Sequence, residues 1–98
     1  MKFDLSFIPL VLDGSKYLTV RRKINEDDFI LEDVLFHSKV IDSCFALHFI
    51  EIEMSYIHNF RAYGFANFSQ MLSYYHDYVK KYSVSDNEMF YTHRVWRA

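Results

Sequence analysis

Residues 14–21, Gly-Ser-Lys-Tyr-Leu-Thr-Val-Arg, contain the most informative pattern in the chain, Gly-x-Lys-x-x-Thr-x-Arg. Beyond the glycine, apolar and polar side chains alternate with the period of two that is typical of a β-strand. Leu18 and Val20 point to one face of such a strand, and Thr19 and Arg21 share the other. The pattern predicts a strand over residues 17–23 that follows a glycine turn.

The flanking sequence predicts a mixture of helices and strands. Upstream, Ser6 is a suitable N-cap for a short helix over residues 7–13, which Gly14 ends. Downstream, Asn67 caps a long amphipathic helix over residues 67–82, with Gln70 at the third position of a capping box. The other predicted strands or apolar runs cover residues 2–5, 29–36, 44–56 and 89–96, with a connection at residues 39–43.

These elements predict an α+β fold in which residues 1–98 form one domain. Two helices are too few for a doubly wound parallel sheet, so we expect a small β-barrel of five or six mostly antiparallel strands flanked by two helices. Hydrophobic residues make up 51% of the chain and charged residues 24%, which excludes a disordered protein. A formal net charge of −2 excludes a uniformly basic nucleic-acid coat protein.

The sequence shows no feature of a membrane protein or of a disulfide-stabilised one. The longest apolar run, residues 43–50, is too short to cross a bilayer and contains His48. Cys44 is the single cysteine, which excludes an internal disulfide and is better suited to a small buried side chain than to a nucleophile. We therefore expect a cytoplasmic protein that has no membrane partner.

Lys16, Thr19 and Arg21 carry chemistry that a ligand site can use. Lys16 provides a flexible ammonium group, and Arg21 provides a guanidinium group that binds phosphates or carbonyls as a fork. Thr19 places a hydroxyl beside Arg21, where a cation favours its ionised form. The alternative is that Thr19 only favours the strand and that both cations are solvated surface charges.

The pattern at residues 14–21 resembles the signature of the ASCH domain, a small β-barrel family related to the PUA RNA-binding fold. Tyr63-Gly64-Phe65 precedes the long helix, where many members of that family carry Glu-Gly-Phe. Residues 31–34 resemble the start of a family strand, with Glu32 in place of a glycine. The last predicted strand lies where the family closes its barrel, so the resemblance extends over nearly the whole chain.

The resemblance implies that RNA or a modified nucleoside binds in a cleft lined by the motif. The implied ligand-binding residues are Gly14, Lys16, Thr19, Arg21, Tyr63 and Asp33. Some ASCH proteins hydrolyse N4-acetylcytidine to cytidine and acetate, which implies catalytic roles for Lys16 and Thr19. Tyr63 replaces the glutamate used in that reaction, so Asp33 or Glu32 would have to supply the carboxylate, and Tyr63 is suited to stacking on a base.

Other features of the sequence leave alternatives open. The five histidines show no HxH or HxxxH spacing, so we expect neither a metal nor a cofactor. Basic residues at 21–23 and 93–97, together with Tyr17 and Trp96, either form a surface for single-stranded RNA or keep an apolar domain in solution. A non-catalytic interaction protein is a further alternative, and it would have a filled cleft and an apolar surface for a homodimer.

Overall fold

Four strands form one antiparallel sheet in the computed structural model, which describes residues 1–98. The strands are β1 (Leu18–Arg21), β2 (Phe29–Leu31), β3 (Val34–Phe45) and β4 (Met89–Arg97), in the order β1-β4-β3-β2. Three α-helices accompany the sheet, α1 (Ile8–Leu12), α2 (Ala46–Glu51) and α3 (Phe68–Lys81). Two short 3₁₀ helices, Glu53–Tyr56 and Phe60–Tyr63, lie between α2 and α3.

The α+β class is confirmed, but the closed barrel of five or six strands with two helices is wrong. The sheet curls into a half-barrel in which β1 and β2 are the two edge strands and do not pair with each other. Residues 2–5 form no strand, and the strand expected over residues 44–56 ends at Phe45. The sheet therefore has two open edges, and one of them is the strand that carries the motif.

The segment after β3 explains one of the missing strands. Apart from His48, residues 44–50 are apolar at both alternating positions, a pattern that fits a helix as well as a strand covered on both faces. In the structure Ala46 and Phe49 lie one helical turn apart, and both are buried in the core. The expected connection at residues 39–43 belongs to β3, where a β-bulge between Val40 and Asp42 shifts the register against β4.

β2 and β3 form a hairpin whose two-residue turn is Glu32 and Asp33. Both residues have a positive φ, 49° and 64° respectively. Two consecutive left-handed residues are characteristic of a type I′ turn, which matches the right-handed twist of the flanking strands. The apolar run over residues 29–36 is therefore two strands that pair with each other.

The long helix α3 begins as the sequence predicts, whereas α1 does not. Asn67 Oδ1 accepts a hydrogen bond from Gln70 N–H at 2.8 Å, and Gln70 Oε1 accepts one from Ala66 N–H at 2.7 Å. The first bond satisfies a backbone donor of the first turn, and the second holds the residue before the N-cap. Phe7, and not Ser6, occupies the N-cap position of α1, and no side chain caps that helix.

Two apolar clusters pack against opposite faces of the curled sheet. The larger one packs against α2 and α3 and contains Leu18, Val20, Ala46, Phe49, Met54, Ala62, Tyr63, Phe65, Met71, Tyr75, Val84 and Phe90. The smaller one contains Val11, Phe29, Phe36 and Val95. Leu18 and Val20 therefore point into the larger core, and Thr19 and Arg21 lie on the other face of β1. No helix of the chain combines the length and the apolar character needed to cross a membrane.

Candidate functional site

The turn between α1 and β1 delivers the motif to the edge of the sheet. Gly14 follows α1 with a φ of 84°, a left-handed conformation that glycine adopts without steric cost. Lys16 N–H then donates to Leu10 O at 2.9 Å, and Tyr17 N–H donates to Ala62 O at 2.9 Å. Gly14 therefore shapes the chain at the turn, and it does not line the cavity that the other motif residues share.

Lys16 is buried, with only 3% of its surface exposed. Its Nζ donates hydrogen bonds to Leu18 O at 2.8 Å and to Tyr63 O, and it lies 4.6 Å from the centre of the Phe7 ring. Burial, reinforced by the positive charge of Arg21, lowers the pKa of Lys16 to about 7. Near neutral pH both protonation states are therefore populated, which is a property of lysines that transfer protons.

Thr19 and Arg21 form a second polar group beside Lys16. Arg21 Nη1 donates to Thr19 Oγ1 and to Val20 O, the latter at 3.0 Å. Arg21 Nη2 donates to Lys2 O at 2.7 Å. Arg21 thereby connects the motif strand to the N-terminal segment (residues 1–7), and the hydroxyl of Thr19, which is buried, accepts from Arg21.

The motif side chains line a cavity of about 320 Å³, which we call the motif cavity. Three parts of the chain contribute to it: β1 with the turn before it, the N-terminal segment, and α3 with the residue after it. The lining residues are Lys2, Asp4, Phe7, Lys16, Thr19, Val20, Arg21, Phe65, Tyr74, Tyr75, Asp77, Tyr78, Lys81 and Tyr82. Lys16, Thr19 and Arg21 thus converge on one space.

Aromatic rings make up much of the lining of the motif cavity. The rings of Phe7, Phe65 and Tyr74 contact one another at centre-to-centre distances of 5.5, 5.7 and 5.2 Å. The centre of the Tyr78 ring lies 4.8 Å from the centre of the Tyr82 ring. Burial, reinforced by the charge of a nearby carboxylate, raises the pKa of Tyr74 to about 12, so its phenol is a neutral donor at pH 7. Flat apolar surfaces with polar tips suit a planar heteroaromatic ligand.

Two carboxylates that no sequence pattern singles out also line the motif cavity, Asp4 and Asp77. Tyr74 Oη donates to Asp4 Oδ2 at 3.2 Å, although the two residues are 70 positions apart in the chain. In the sequence, Asp4 is visible only as a charge that interrupts an apolar N-terminal stretch. A contact of this range leaves no local signal, so sequence reasoning missed both carboxylates.

The structure places Asp33, Glu32 and the side chain of Tyr63 outside the motif cavity. Asp33 and Glu32 form the exposed turn between β2 and β3. Tyr63 contributes only its backbone carbonyl, which accepts a hydrogen bond from Lys16, while its ring is buried in the larger core. The expected carboxylate of Asp33 and the expected stacking of Tyr63 are therefore not available to a ligand in this cavity.

The remaining candidate residues have structural roles. His93 is fully buried, and its Nε2 accepts a hydrogen bond from Asn25 N–H at 2.9 Å. Its Nδ1 therefore carries the proton and donates to Tyr91 O at 3.0 Å. Burial raises the pKa of Cys44 to about 11, which keeps the thiol protonated and unreactive. No group of three or more His, Cys, Asp or Glu side chains is positioned to hold a metal ion.

The two basic clusters of the sequence lie on neighbouring strands, because β1 and β4 pair antiparallel. Arg21 lies in the motif cavity, and Arg22 Nε donates to Glu88 Oε1 at 2.7 Å. Arg94 and Trp96 are exposed on β4, where Arg94 lies opposite Leu18, so strand alternation places Arg94 on the face of the sheet away from Arg21. Arg21 and Arg94 therefore lie on opposite faces of the sheet, and the surface for single-stranded RNA stays a prediction.

Comparison with known proteins adds no residue to this site. The chain matches no protein-family model, no curated protein and no solved structure. Membership of the ASCH family stays a prediction, most specific at residues 14–21.

Proposed function

We propose that the motif cavity binds a nucleoside or a single nucleotide of RNA, as a member of the ASCH family would. The observation that carries this proposal is the convergence of Lys16, Thr19 and Arg21 on one cavity with aromatic walls. Its volume of about 320 Å³ lies at the lower end of the range of about 300–1,000 Å³ that is typical of small-molecule sites. That size fits a ligand no larger than a nucleoside or a nucleotide.

The chemistry of the lining matches both parts of such a ligand. The rings of Phe7, Tyr74 and Tyr78 can stack on a base, an interaction that contributes about 1–3 kcal/mol per base. The Thr19 hydroxyl and the Asp4 carboxylate provide a donor and an acceptor for polar atoms at the edge of a base. Stacking fixes the plane of the ligand, and the two polar groups select its edge.

The balance of charge favours a neutral or anionic ligand. Lys2, Arg21 and Lys81, together with the partly protonated Lys16, line the cavity with only two carboxylates, in a chain whose net charge is −2. Aromatic walls alone would also suit a quaternary ammonium ion. A cation in this cavity would face the local excess of positive charge, whereas a phosphate or a sugar would not.

Titration calorimetry with cytidine 5′-monophosphate and with N4-acetylcytidine tests the proposal. Arg21→Gln and Thr19→Val should each weaken binding, the first at least tenfold, because each removes a polar group from the cavity. Arg22→Gln is the matched control, since Arg22 pairs with Glu88 and does not line the cavity. No binding by the folded protein, or equal losses in Arg21→Gln and Arg22→Gln, would contradict the proposal.

An amidohydrolase that acts on N4-acetylcytidine is the second candidate function. The observation that favours it is the presence, in one cavity, of an amine with a pKa of about 7 and a carboxylate, Lys16 and Asp4. Such a pair can exchange protons with a leaving group near neutral pH. In this proposal Asp4 replaces the family glutamate whose position Tyr63 occupies.

Chromatography of cytidine released from N4-acetylcytidine distinguishes catalysis from binding. Release that both Lys16→Met and Asp4→Asn abolish would support the enzyme and assign the carboxylate. Binding without release would exclude this reaction and leave a binding module. The third alternative, an interaction protein with a filled cleft, receives no support from a cavity that is open and lined by Lys16 and Arg21.

A further inference from the structure

A second part of the sheet, outside the motif cavity, exposes aromatic and cationic side chains together. On one face of the β3–β4 pair, His37 lies opposite Trp96, and Lys39 lies opposite Arg94. The centres of the His37 and Trp96 rings are 5.6 Å apart, and 40% of the Trp96 surface is exposed. We call these four residues the sheet platform.

The two cations of the sheet platform have no partner within the chain. Lys39 and Arg94 are exposed and form neither a salt bridge nor a side-chain hydrogen bond. Other arginines close to the sheet are engaged, because Arg22 pairs with Glu88 and Arg97 Nη2 donates to a backbone carbonyl at 3.0 Å. The sheet platform is therefore a place where unpaired positive charge lies beside an exposed indole ring.

We infer that the sheet platform binds single-stranded nucleic acid, independently of the function of the motif cavity. An exposed Trp96 offers a stacking surface to a base, and only an unpaired strand presents the face of a base. The Lys39–Arg94 pair lies two residues along from the His37–Trp96 pair, which is about 6.8 Å at the rise of a strand. These long cationic side chains can therefore reach the phosphates next to a base stacked on the indole.

Two carboxylates near the sheet platform limit its affinity. Asp28 Oδ1 lies 2.7 Å from Nδ1 of His37 and holds that ring in place. Asp42 is exposed and lies opposite Thr92. Thr92 is two residues from Arg94 on the same face of β4. Because Asp42 repels a phosphate chain at that end, removal of its charge should strengthen binding. A surface that only kept the chain in solution would not respond in this way.

The two free cations set the expected dependence on salt. Each phosphate contact on a single strand contributes about −0.7 to the slope of log K against log salt concentration, so two contacts give about −1.4. Affinity should therefore fall about sevenfold between 50 and 200 mM salt. Arg94→Gln or Lys39→Gln should each reduce the slope by about 0.7, and Trp96→Ala should weaken binding at least about fivefold without changing the slope.

Fluorescence anisotropy with a fluorescein-labelled ten-nucleotide oligouridylate RNA tests the inference across this salt range. We expect Trp96→Phe to retain most of the affinity, Asp42→Asn to increase it, and the matched control Arg22→Gln to leave it unchanged. Circular dichroism measures whether each variant is folded. If Trp96→Ala does not fold, Trp96→Phe and Arg94→Gln still test the inference.

Three results would overturn the inference. The first is the absence of RNA binding by the folded protein at 50 mM salt. The second is binding that Arg21→Gln abolishes while Trp96→Phe and Arg94→Gln leave it intact, because the RNA would then occupy the motif cavity. The third is an oligomer of the chain that Arg94→Gln or Trp96→Ala dissociates, which would make the sheet platform an interface between copies of the chain. Failure of the nucleotide titrations at the motif cavity would not affect this inference.

Discussion

The buried Lys16 amine should make the stability of the chain depend on pH in a range where most proteins show little change. Its pKa is about 7 in the folded chain, compared with an ordinary value of 10.5. Between these values the unfolded chain binds a proton that the folded chain does not bind, so stability increases with pH. A full proton difference corresponds to about 1.4 kcal/mol per pH unit, or about 2 kcal/mol between pH 7.5 and 9.

The upper end of this range is set by other buried groups. Burial raises the pKa of Cys44 from 9.0 to about 11 and that of Tyr63 from 10.0 to about 12. Above the ordinary value of each group, the unfolded chain loses a proton that the folded chain keeps, so stability decreases. The contribution of Lys16 is therefore best isolated below pH 9.

Urea denaturation followed by circular dichroism, at intervals from pH 6.5 to 9, measures this dependence. Lys16→Met should remove the increase, because methionine has a similar length and no proton to gain. Lys23→Met is the matched control, since Lys23 is exposed and the substitution leaves Lys16 in place. A flat profile for the unaltered chain would refute the reasoning, and it would mean that the carbonyls of Leu18 and Tyr63 keep the ammonium charged throughout.

Three further predictions concern two glycines, a turn and a histidine. Gly64→Ala should lower the free energy of unfolding by more than about 1 kcal/mol, because φ is 96° and a Cβ there would lie 2.9 Å from atoms of Lys16 and Phe7. Gly14→Ala, which has no atom within 4 Å of the new Cβ, should cost less, and equal losses in urea denaturation would contradict this. Replacement of Glu32-Asp33 by Asn-Gly should raise the free energy of unfolding by about 0.4–1 kcal/mol, because both positions are left-handed and Asn-Gly favours that conformation. If urea denaturation shows no increase in this free energy, the turn assignment is wrong. Burial lowers the pKa of His93, so below pH 6.5 the unfolded chain gains a proton that the folded chain does not, and stability should fall. If His93→Gln leaves the pH dependence of the thermal melt unchanged, His93 does not have this role.

The parts of the fold that the sequence predicts are those with strong local signals. The long helix α3 has an Asn67 cap and a regular apolar stripe, and β4 begins and ends within a residue of the predicted range. The secondary structure of residues 44–56 could not be predicted, because their apolar pattern fits a helix and a strand equally well and tertiary packing decides between them. With that strand and the N-terminal strand missing, the sheet stays open.

The candidate site divides in the same way. Lys16, Thr19 and Arg21 lie within six residues, and strand alternation places the last two on one face. Asp4 and the tyrosines of α3 reach the motif cavity only through contacts between distant segments, such as the Arg21 hydrogen bond to Lys2 O. A local motif therefore identifies the polar centre of the cavity, and the three-dimensional fold supplies its walls.

The proton on Lys16 offers a direct test that these distant segments form one electrostatic site. The negative charge of Asp4 raises the pKa of Lys16, and the positive charge of Arg21 lowers it. Asp4→Asn should therefore move the pH-dependent increase in stability to lower pH, and Arg21→Gln should move it to higher pH. Asp77→Asn is the matched control, because Asp77 lines the cavity but does not act on the pKa of Lys16. Shifts in the same direction for Asp4→Asn and Arg21→Gln would mean that both act through loosened packing of the N-terminal segment, and the cavity would then lack the coupled charges on which the proposed acid–base chemistry depends.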